Sequence, residues 1–192
     1  MRILGIIPAR AGSIRLPGKN LAIVGGKPMI QWTVDAVMNS ALDRWIVSTD
    51  DPDLVLLCDT NGWPWKVRPV GLHGDKPIED VVEHHAATER VDAIMLLQPT
   101  SPLRTADDIN AVLAMLPDYD SVASYVNIGK HQELLTTNGA IFACRREYAH
   151  THLLRGPRHG CYLMPSSRSV DVDDAYQAHL ADLLLTHPPA QV

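Results

Sequence analysis

No acidic residue precedes Asp35, although the chain of 192 residues carries a net charge of -5. Phenylalanine is nearly missing, with Phe142 the sole copy, so a core must be built from Val, Leu, Ile, Ala and Met. Cysteine is sparse: Cys58, Cys144 and Cys161 stand far apart and share no metal-ligand spacing. That excludes a disulfide framework or a zinc site and predicts reduced thiols in the cytoplasm. No apolar run is long enough to span a bilayer, and no basic-then-apolar leader pattern stands at the start, which predicts no membrane partner. The acidic balance argues against a nucleic-acid partner, which asks for a basic face. Internal repeats, low-complexity tracts and interdomain linkers are absent, and the length suits one domain over 1–192. Neither a Walker A spacing nor a Ser-His-Asp order with a nucleophile elbow occurs.

What is present alternates between two periods. Ile3 to Ile7, Trp45 to Thr49, Trp65 to Arg68 and Ala93 to Leu97 read as strands, the last apolar throughout, as in a strand covered on both faces. Gly25-Gly26-Lys27-Pro28 is a turn with Pro at a first helical position, and Ile30, Val34, Val37 and Ala41 follow at helical spacing. Pro52 starts a helix that Asn61-Gly62 ends. Ile78 to Glu89 is a helix. Thr105 and Asp108 form a capping box ahead of Ile109, Val112, Leu113 and Leu116. Ser121 to Val126 and Ala140 to Cys144 are strands, and Ala175 to Leu185 is a last helix before a loose tail at 187–192. The alternation predicts an α/β fold with a mostly parallel sheet, whose ligands bind outside the carboxyl ends of the strands.

Three polar clusters fall at such ends. The first follows Ile7: Pro8-Ala9-Arg10-Ala11-Gly12-Ser13-Ile14-Arg15-Leu16-Pro17-Gly18-Lys19-Asn20. Its small residues let backbone N–H groups approach an anion, and Arg10, Arg15 and Lys19 add charge-assisted donors for phosphate. The reading is a triphosphate cradle; the plainer alternative is a strand-to-helix loop with solvated charges. The second and third clusters are Ser48-Thr49-Asp50 and Gln98-Pro99-Thr100-Ser101.

The loop resembles the signature of the sugar-activating cytidylyltransferases. CMP-sialic acid synthetases show Ala-Arg-x-Gly-Ser-Lys-Gly-x-x-x-Lys-Asn, matched here by Ala9, Arg10, Gly12, Ser13, Lys19 and Asn20. Ile14 and Arg15 replace the usual Lys and Gly, and Ser13 to Lys19 is instead similar to the CMP-Kdo synthetases. Leu97 to Arg104 matches the Leu-Gln-Pro-Thr-Ser-Pro-Leu-Arg of the sialic acid enzymes completely. The resemblance implies a single-domain, Rossmann-like nucleotidyltransferase fold with a twisted sheet flanked by helices.

It also implies roles. Ala9, Arg10, Ala11, Gly12, Ser13, Arg15, Lys19 and Asn20 would hold the nucleotide, joined by Arg68 and Asp75 near base and ribose. Gln98 and Asn138 would contact the acceptor, while Arg104 braces its loop. From sequence alone Asn138 equally opens a strand through a left-handed turn. Asp50 either orients the cradle through Arg10 or Lys19, or caps the next helix.

Asp171 and Asp173 alternate with Val170 and Val172, so an extended backbone turns both carboxylates to one side. The family carries Asp-Ile-Asp here as its metal site, which implies Mg²⁺ on these two residues. Without the resemblance, a solvated pair at the start of the last helix is the favoured reading. The nine His residues, with His84, His85, His150 and His152 among them, read as packed or surface imidazoles.

Two departures stand out. Lys76, Pro77, Ile78 and Glu79 occupy the place of small hydroxyl residues. The long dimerisation arm of the family is reduced to 127–137, with Gly129-Lys130-His131-Gln132 alone to replace its basic contacts, so the usual homodimer is not assumed. The expected activity is transfer of CMP from CTP to an acidic, sialic-acid-like sugar with release of pyrophosphate. Arg10, Lys19 and Asp171 carry the chemistry in this reading. The alternatives are another small acid, such as Kdo or a phosphonate, or a nucleotide-binding relative without catalysis.

Overall fold

The computed structural model describes residues 1–13, 15–68, 70–72, 76–129 and 133–188. Strand β1, Ile3–Ala9, leads into the cationic loop and a short turn of 3-10 helix at Lys19–Leu21. Then come a two-stranded hairpin, β2 (Ile23–Val24) and β3 (Lys27–Pro28), and helix α1, Met29–Met38. The hairpin corrects the sequence reading: Pro28 ends a strand and precedes the helix rather than opening it. β4 (Trp45–Thr49), α2 (Pro52–Asn61), β5 (Trp65–Val67), α3 (Ile78–Thr88) and β6 (Ala93–Leu97) follow as expected. So does α4, Ala106–Met115, with its capping box of Thr105 and Asp108.

The last third holds more strand than its sequence pattern showed. β7 spans Ser121–Asn127, β8 spans Leu135–Arg145 and β9 spans His159–Leu163; α5, Ala175–Thr186, closes the described chain. β8 starts five residues earlier than its apolar core, in the stretch read as a reduced arm, so β7 and β8 form a hairpin. β9 was not legible because its burial is mixed, with His159, Cys161 and Leu163 only partly covered.

Seven strands form one sheet in the order β5-β4-β1-β6-β8-β7-β9. β8 runs antiparallel to β6 and β7, and every other pairing is parallel. The expected α/β architecture is therefore observed. One layer of the core, with Ile7, Val34, Val47, Leu54, Met95, Ile109 and Ile141, lies under α1, α2 and α4. The other, with Ile6, Val82, Ala86, Ile94, Leu96 and Phe142, lies under α3. All five residues of β6 are buried, which explains its unbroken apolar run. No helix among the described residues is long and apolar enough to cross a membrane.

The register sets the rim. Ala9 pairs with Thr49, Thr49 with Val67, and Leu97 with Ile141. The cationic loop, Asp50, Arg68 and Gln98 thus leave the sheet at one edge. β8 arrives there from the opposite direction and delivers Asn138 to Ala140 to the same edge.

Candidate active site

The loop after β1 is tied down by its neighbours. The Ala11 N–H donates to Asp50 Oδ1 at 2.8 Å, and Asn20 Nδ2 donates to the Arg10 carbonyl at 3.3 Å. Asp50 thus orients the cradle through a backbone amide; the cap of α2 is Asp51, which accepts from the Asp53 N–H at 3.0 Å. Gly12 adopts φ 73°, a left-handed conformation that a side chain would strain.

Arg68 is buried behind the loop, its N–H donating to the Thr49 carbonyl at 2.8 Å. Burial disfavours its charge; Asp50 supports it and Arg10 opposes it, so the three groups sense one another. A cleft of about 340 Å³ opens here, lined by Arg10, Ser13, Lys19, Asn20, Arg68 and Gln98 among others. Six residues expected to bind nucleotide or acceptor therefore share one cavity. Lys76, Ile78 and Thr100 also line it. In the sequence Lys76 stood out only as a departure, in the place of the family's small hydroxyl residues, since a lone exposed lysine before a helix is ordinary. Asp75 lies outside the described residues, as do Lys130, His131 and Gln132.

The loop after β6 is fixed from beneath. Arg104, fully buried, donates from Nη1 to the carbonyls of Ala140 at 2.7 Å and Gln98 at 3.2 Å, and from Nη2 to Thr33 Oγ1 at 2.6 Å. It is a brace, as expected, and it ties α1, β8 and the Gln98 loop together.

Asp171 and Asp173 reach the same place from the other end of the chain. Between them Val172 is buried against Val24, Met29 and Ala181, and its N–H donates to the Thr100 carbonyl at 2.7 Å. This anchors the acidic segment alongside the Gln98 loop. Upstream, Arg168 donates to Asp108 at 2.6 and 3.2 Å, which fixes the approach of the segment from α4. Asp173 then meets the cationic loop directly: Oδ1 is 3.1 Å from Lys19 Nζ and Oδ2 is 3.0 Å from Arg15 Nη2. The helix cap belongs to the next residue, Asp174, whose side chain accepts from the Gln177 N–H at 2.9 Å. The alternative in which the pair merely caps α5 thus fails for Asp171 and Asp173.

Asp171 Oδ1 is buried and makes no well-aligned hydrogen bond; burial raises the pKa of the group, the adjacent Thr100 hydroxyl opposes the rise, Asp173 adds to it, and Lys19 and Arg15 oppose it. An under-bonded carboxylate oxygen beside a second carboxylate is a donor set that suits a hard divalent cation. Gly139 makes room for it: φ is 77°, and a Cβ there would lie 3.2 Å from Asp171 Oδ2.

Asn138 is placed at this rim with its amide engaged inside the protein. Its Oδ1 accepts from Ser124 Oγ at 2.6 Å, and its Nδ2 donates to Ser169 Oγ at 2.9 Å. Residues 138–141 lie opposite Ser124 alone, a bulge in the β7–β8 ladder of the kind that re-aims backbone near sites. Asn138 holds that bulge.

A second cleft, of about 210 Å³, is lined by Tyr125, Thr137, Phe142, Arg155 and His159 among others. Phe142 lies in the core layer beneath α3, the layer on which Ile78 of the first cleft also packs. Arg155 Nη2 donates to Tyr125 Oη at 2.8 Å, and Tyr125 Oη lies 3.0 Å from His159 Nε2. Sequence reasoning passed over this group, in which Tyr125 stands 30 residues from Arg155 and 34 from His159.

Known proteins resemble this chain in both sequence and shape. A family model described as Cytidylyltransferase matches residues 4–158. An N-acylneuraminate cytidylyltransferase of Escherichia coli is 28% identical over 214 residues, covering 94% of this chain and 51% of that protein. A CMP-N,N'-diacetyllegionaminic acid synthase of Legionella pneumophila is 40% identical over 118 residues, covering 57% and 50%. A 3-deoxy-manno-octulosonate cytidylyltransferase of Yersinia pseudotuberculosis is 38% identical over 104 residues, covering 54% and 41%. The chain thus spans about half the length of the curated relatives it matches, or less. Among solved structures, a CMP:2-keto-3-deoxy-manno-octonic acid synthetase complexed with CTP superposes with a TM-score of 0.82 at 18% identity, covering 96% of this chain and 98% of that one. A 4-diphosphocytidyl-2C-methyl-D-erythritol synthase from Anaerococcus prevotii gives 0.70 at 15% identity, covering 96% of each. The structural likeness establishes a shared Rossmann-like fold, and the family match, over most of the chain, establishes the kinship: this protein belongs to the cytidylyltransferase family.

Proposed function

We propose that the protein transfers CMP from CTP to an oxygen of a small acidic sugar and releases pyrophosphate. One observation carries the reading: the cationic loop of the N-terminal third and the two late aspartates touch, through Lys19 and Asp173, at the rim of one cleft. Nucleotidyl transfer of this kind is mainly positioning and charge stabilisation. Arg10, Arg15, Lys19 and the amides of Gly12 and Ser13, with Asn20, hold the triphosphate; Ala9 and Ala11 shape the loop, the Ala11 N–H being held by Asp50; Arg68 and Asp75 take the nucleoside side. Asp171 and Asp173 would hold Mg²⁺, which supplies positive charge against the phosphate oxygens.

Gln98 faces the acceptor at the cleft wall. Asn138 acts on the acceptor side through the bulge it fixes rather than with a free amide. The second cleft would give the acid a place, with Arg155 as the cation for its carboxylate. In this reading residues 1–192 act as one catalytic domain in the cytoplasm, on CTP and a small acid, with neither nucleic acid nor membrane as partner. A homodimer in this reading would form with the family's usual arm reduced to residues 127–137.

The acceptor is a nonulosonic acid or, as a second reading, Kdo. The second is favoured by the Ser13 to Lys19 run and by the short connection between β7 and β8, which leaves less wall for a large acceptor. Pyrophosphate release, measured for CTP, UTP and GTP against sialic, legionaminic and Kdo acids and small phosphonates, tests both. Turnover with CTP and one acid class is expected. Tight CTP binding with no pyrophosphate from any acid would leave a nucleotide-binding relative without catalysis.

A further inference from the structure

One carboxylate, Asp173, occupies two cations of the cradle at once, one on each oxygen. Those cations are the ones that the proposed function gives to the triphosphate. The Asp173 carboxylate caps no helix: the cap of α5 uses Asp174 and Gln177, and the Asp173 backbone N–H is already satisfied by Gln177 Oε1 at 2.7 Å. Lys19, with 17% of its side chain exposed, is the firmer half of the clasp; Arg15, at 68%, is the looser. The carboxylate therefore sits where a phosphate oxygen would, and screens the cradle's charge from anions.

We propose that Asp173 is a latch on the phosphate-binding loop: it sequesters Lys19 and Arg15 until a divalent cation draws its carboxylate away. Two charges compete for each partner. Phosphate and Asp173 compete for the cations of the loop, while the loop and the metal compete for Asp173. Asp171 Oδ1, buried and without a well-aligned hydrogen bond, waits beside it as the second oxygen donor. Nucleotide without metal must displace the latch, whereas nucleotide with metal finds the cations released. The metal thus acts on binding as well as on chemistry, and the coupling runs both ways, since phosphate on the loop also frees Asp173 for the metal. This inference rests on the proposed function only for the identity of the anion; the latch itself concerns any polyphosphate.

The experiment is calorimetric titration of the full chain with inorganic tripolyphosphate and with CTP, each in EDTA and in Mg²⁺. In EDTA, Asp173→Asn is expected to bind tripolyphosphate about two- to fivefold more tightly than the parent chain, the upper range of a partly exposed ion pair. In Mg²⁺ the gain is expected to vanish, because the variant has lost a metal ligand. Mere removal of negative charge would raise affinity in any background. A latch acts through Lys19, so the gain from Asp173→Asn must shrink at least by half in a Lys19→Ala background. Equal gains in both backgrounds, weaker or unchanged tripolyphosphate binding by Asp173→Asn in EDTA, or no binding of tripolyphosphate to either chain would each overturn the latch. Tighter tripolyphosphate binding without any preference for CTP would keep the latch and count against the cytidine reading. Hydrogen exchange of residues 10–21 is a second measure that needs no ligand: it is expected to quicken in Asp173→Asn, and unchanged protection would also overturn the proposal.

Discussion

Arg104 Nη1 lies 2.7 Å from the carbonyl oxygen of Ala140, two residues beyond the amide that holds the β8 bulge. A buried guanidinium thereby fixes the height of the rim on which Gly139 and Asp171 meet. Its three partners belong to three different segments, and two of them, Ala140 and Thr33, are fully buried. Arg104→Met is expected to destabilise the fold by about 3 to 5 kcal/mol, because it strands buried acceptors. Arg104→Lys should recover little, since a point ammonium cannot span the fork. Urea midpoints at constant m-value measure both.

Lys19→Ala and Asp171→Asn are each expected to lower turnover by about 100-fold or more, the usual scale for losing a preorganised charge. Their melting temperatures should stay close to that of the parent, as Lys19 lines the cleft and Asn keeps the shape of Asp171 while removing a charge that burial disfavours. His150→Ala, exposed and remote from the clefts' polar groups, should leave turnover unchanged. Near-normal turnover of Asp171→Asn with Mg²⁺ present would remove the metal assignment.

His85 supplies a pH signature. It is buried under β4, with Nε2 2.9 Å from Ser48 Oγ, and burial, aided by nearby positive groups, lowers its pKa to about 4. The unfolded chain takes up the proton at about 6.5 while the folded chain resists it. Stability from this residue is therefore whole above pH 6.5 and declines as pH falls toward 4, by about 2 to 3 kcal/mol at pH 4.5. His85→Gln keeps a partner for Ser48 and should flatten that part of the curve. Chemical denaturation at pH 7 and pH 4.5 would show no difference between the two chains if the imidazole were not responsible.

Gly139 and Gly12 separate strain from crowding. Both have left-handed φ, but a Cβ at Gly12 meets nothing within 4 Å, whereas one at Gly139 meets Asp171 Oδ2 at 3.2 Å. Each alanine substitution should cost about 1 to 2 kcal/mol in stability from the backbone alone. Gly139→Ala should in addition weaken Mg²⁺ binding, read by calorimetry, while Gly12→Ala should leave it unaltered. Equal metal affinities would show that Asp171 does not depend on the space beside it.

The α/β class, the runs of β4 and β6, and the capping box of α4 were legible because each rests on local chemistry: β-branched runs, buried apolar stretches, a Thr three residues before an Asp. So was the convergence of Arg10, Ser13, Lys19, Asn20, Arg68 and Gln98, since parallel strands place their carboxyl ends on one edge. β9 escaped notice because an edge strand with mixed cover leaves no clean period. The second duty of Asp108 escaped too. Its cap is encoded three residues away, while its ion pair with Arg168 spans sixty. Likewise the sequence could offer Asn138 as a contact, but only the fold shows its amide turned inward onto Ser124 and Ser169.

The acidic segment and α5 are seated on the hairpin of β2 and β3, where Val172 and Ala181 meet Val24 and Met29. The first and last parts of the chain are thus stapled together beside the cleft. All seven strands of the large sheet precede residue 164, since β9 ends at Leu163. The two carboxylates that face the cationic loop therefore lie outside the sheet's own strands, and a chain cut just after β9 would keep every strand while leaving the cradle bare of its acidic partners.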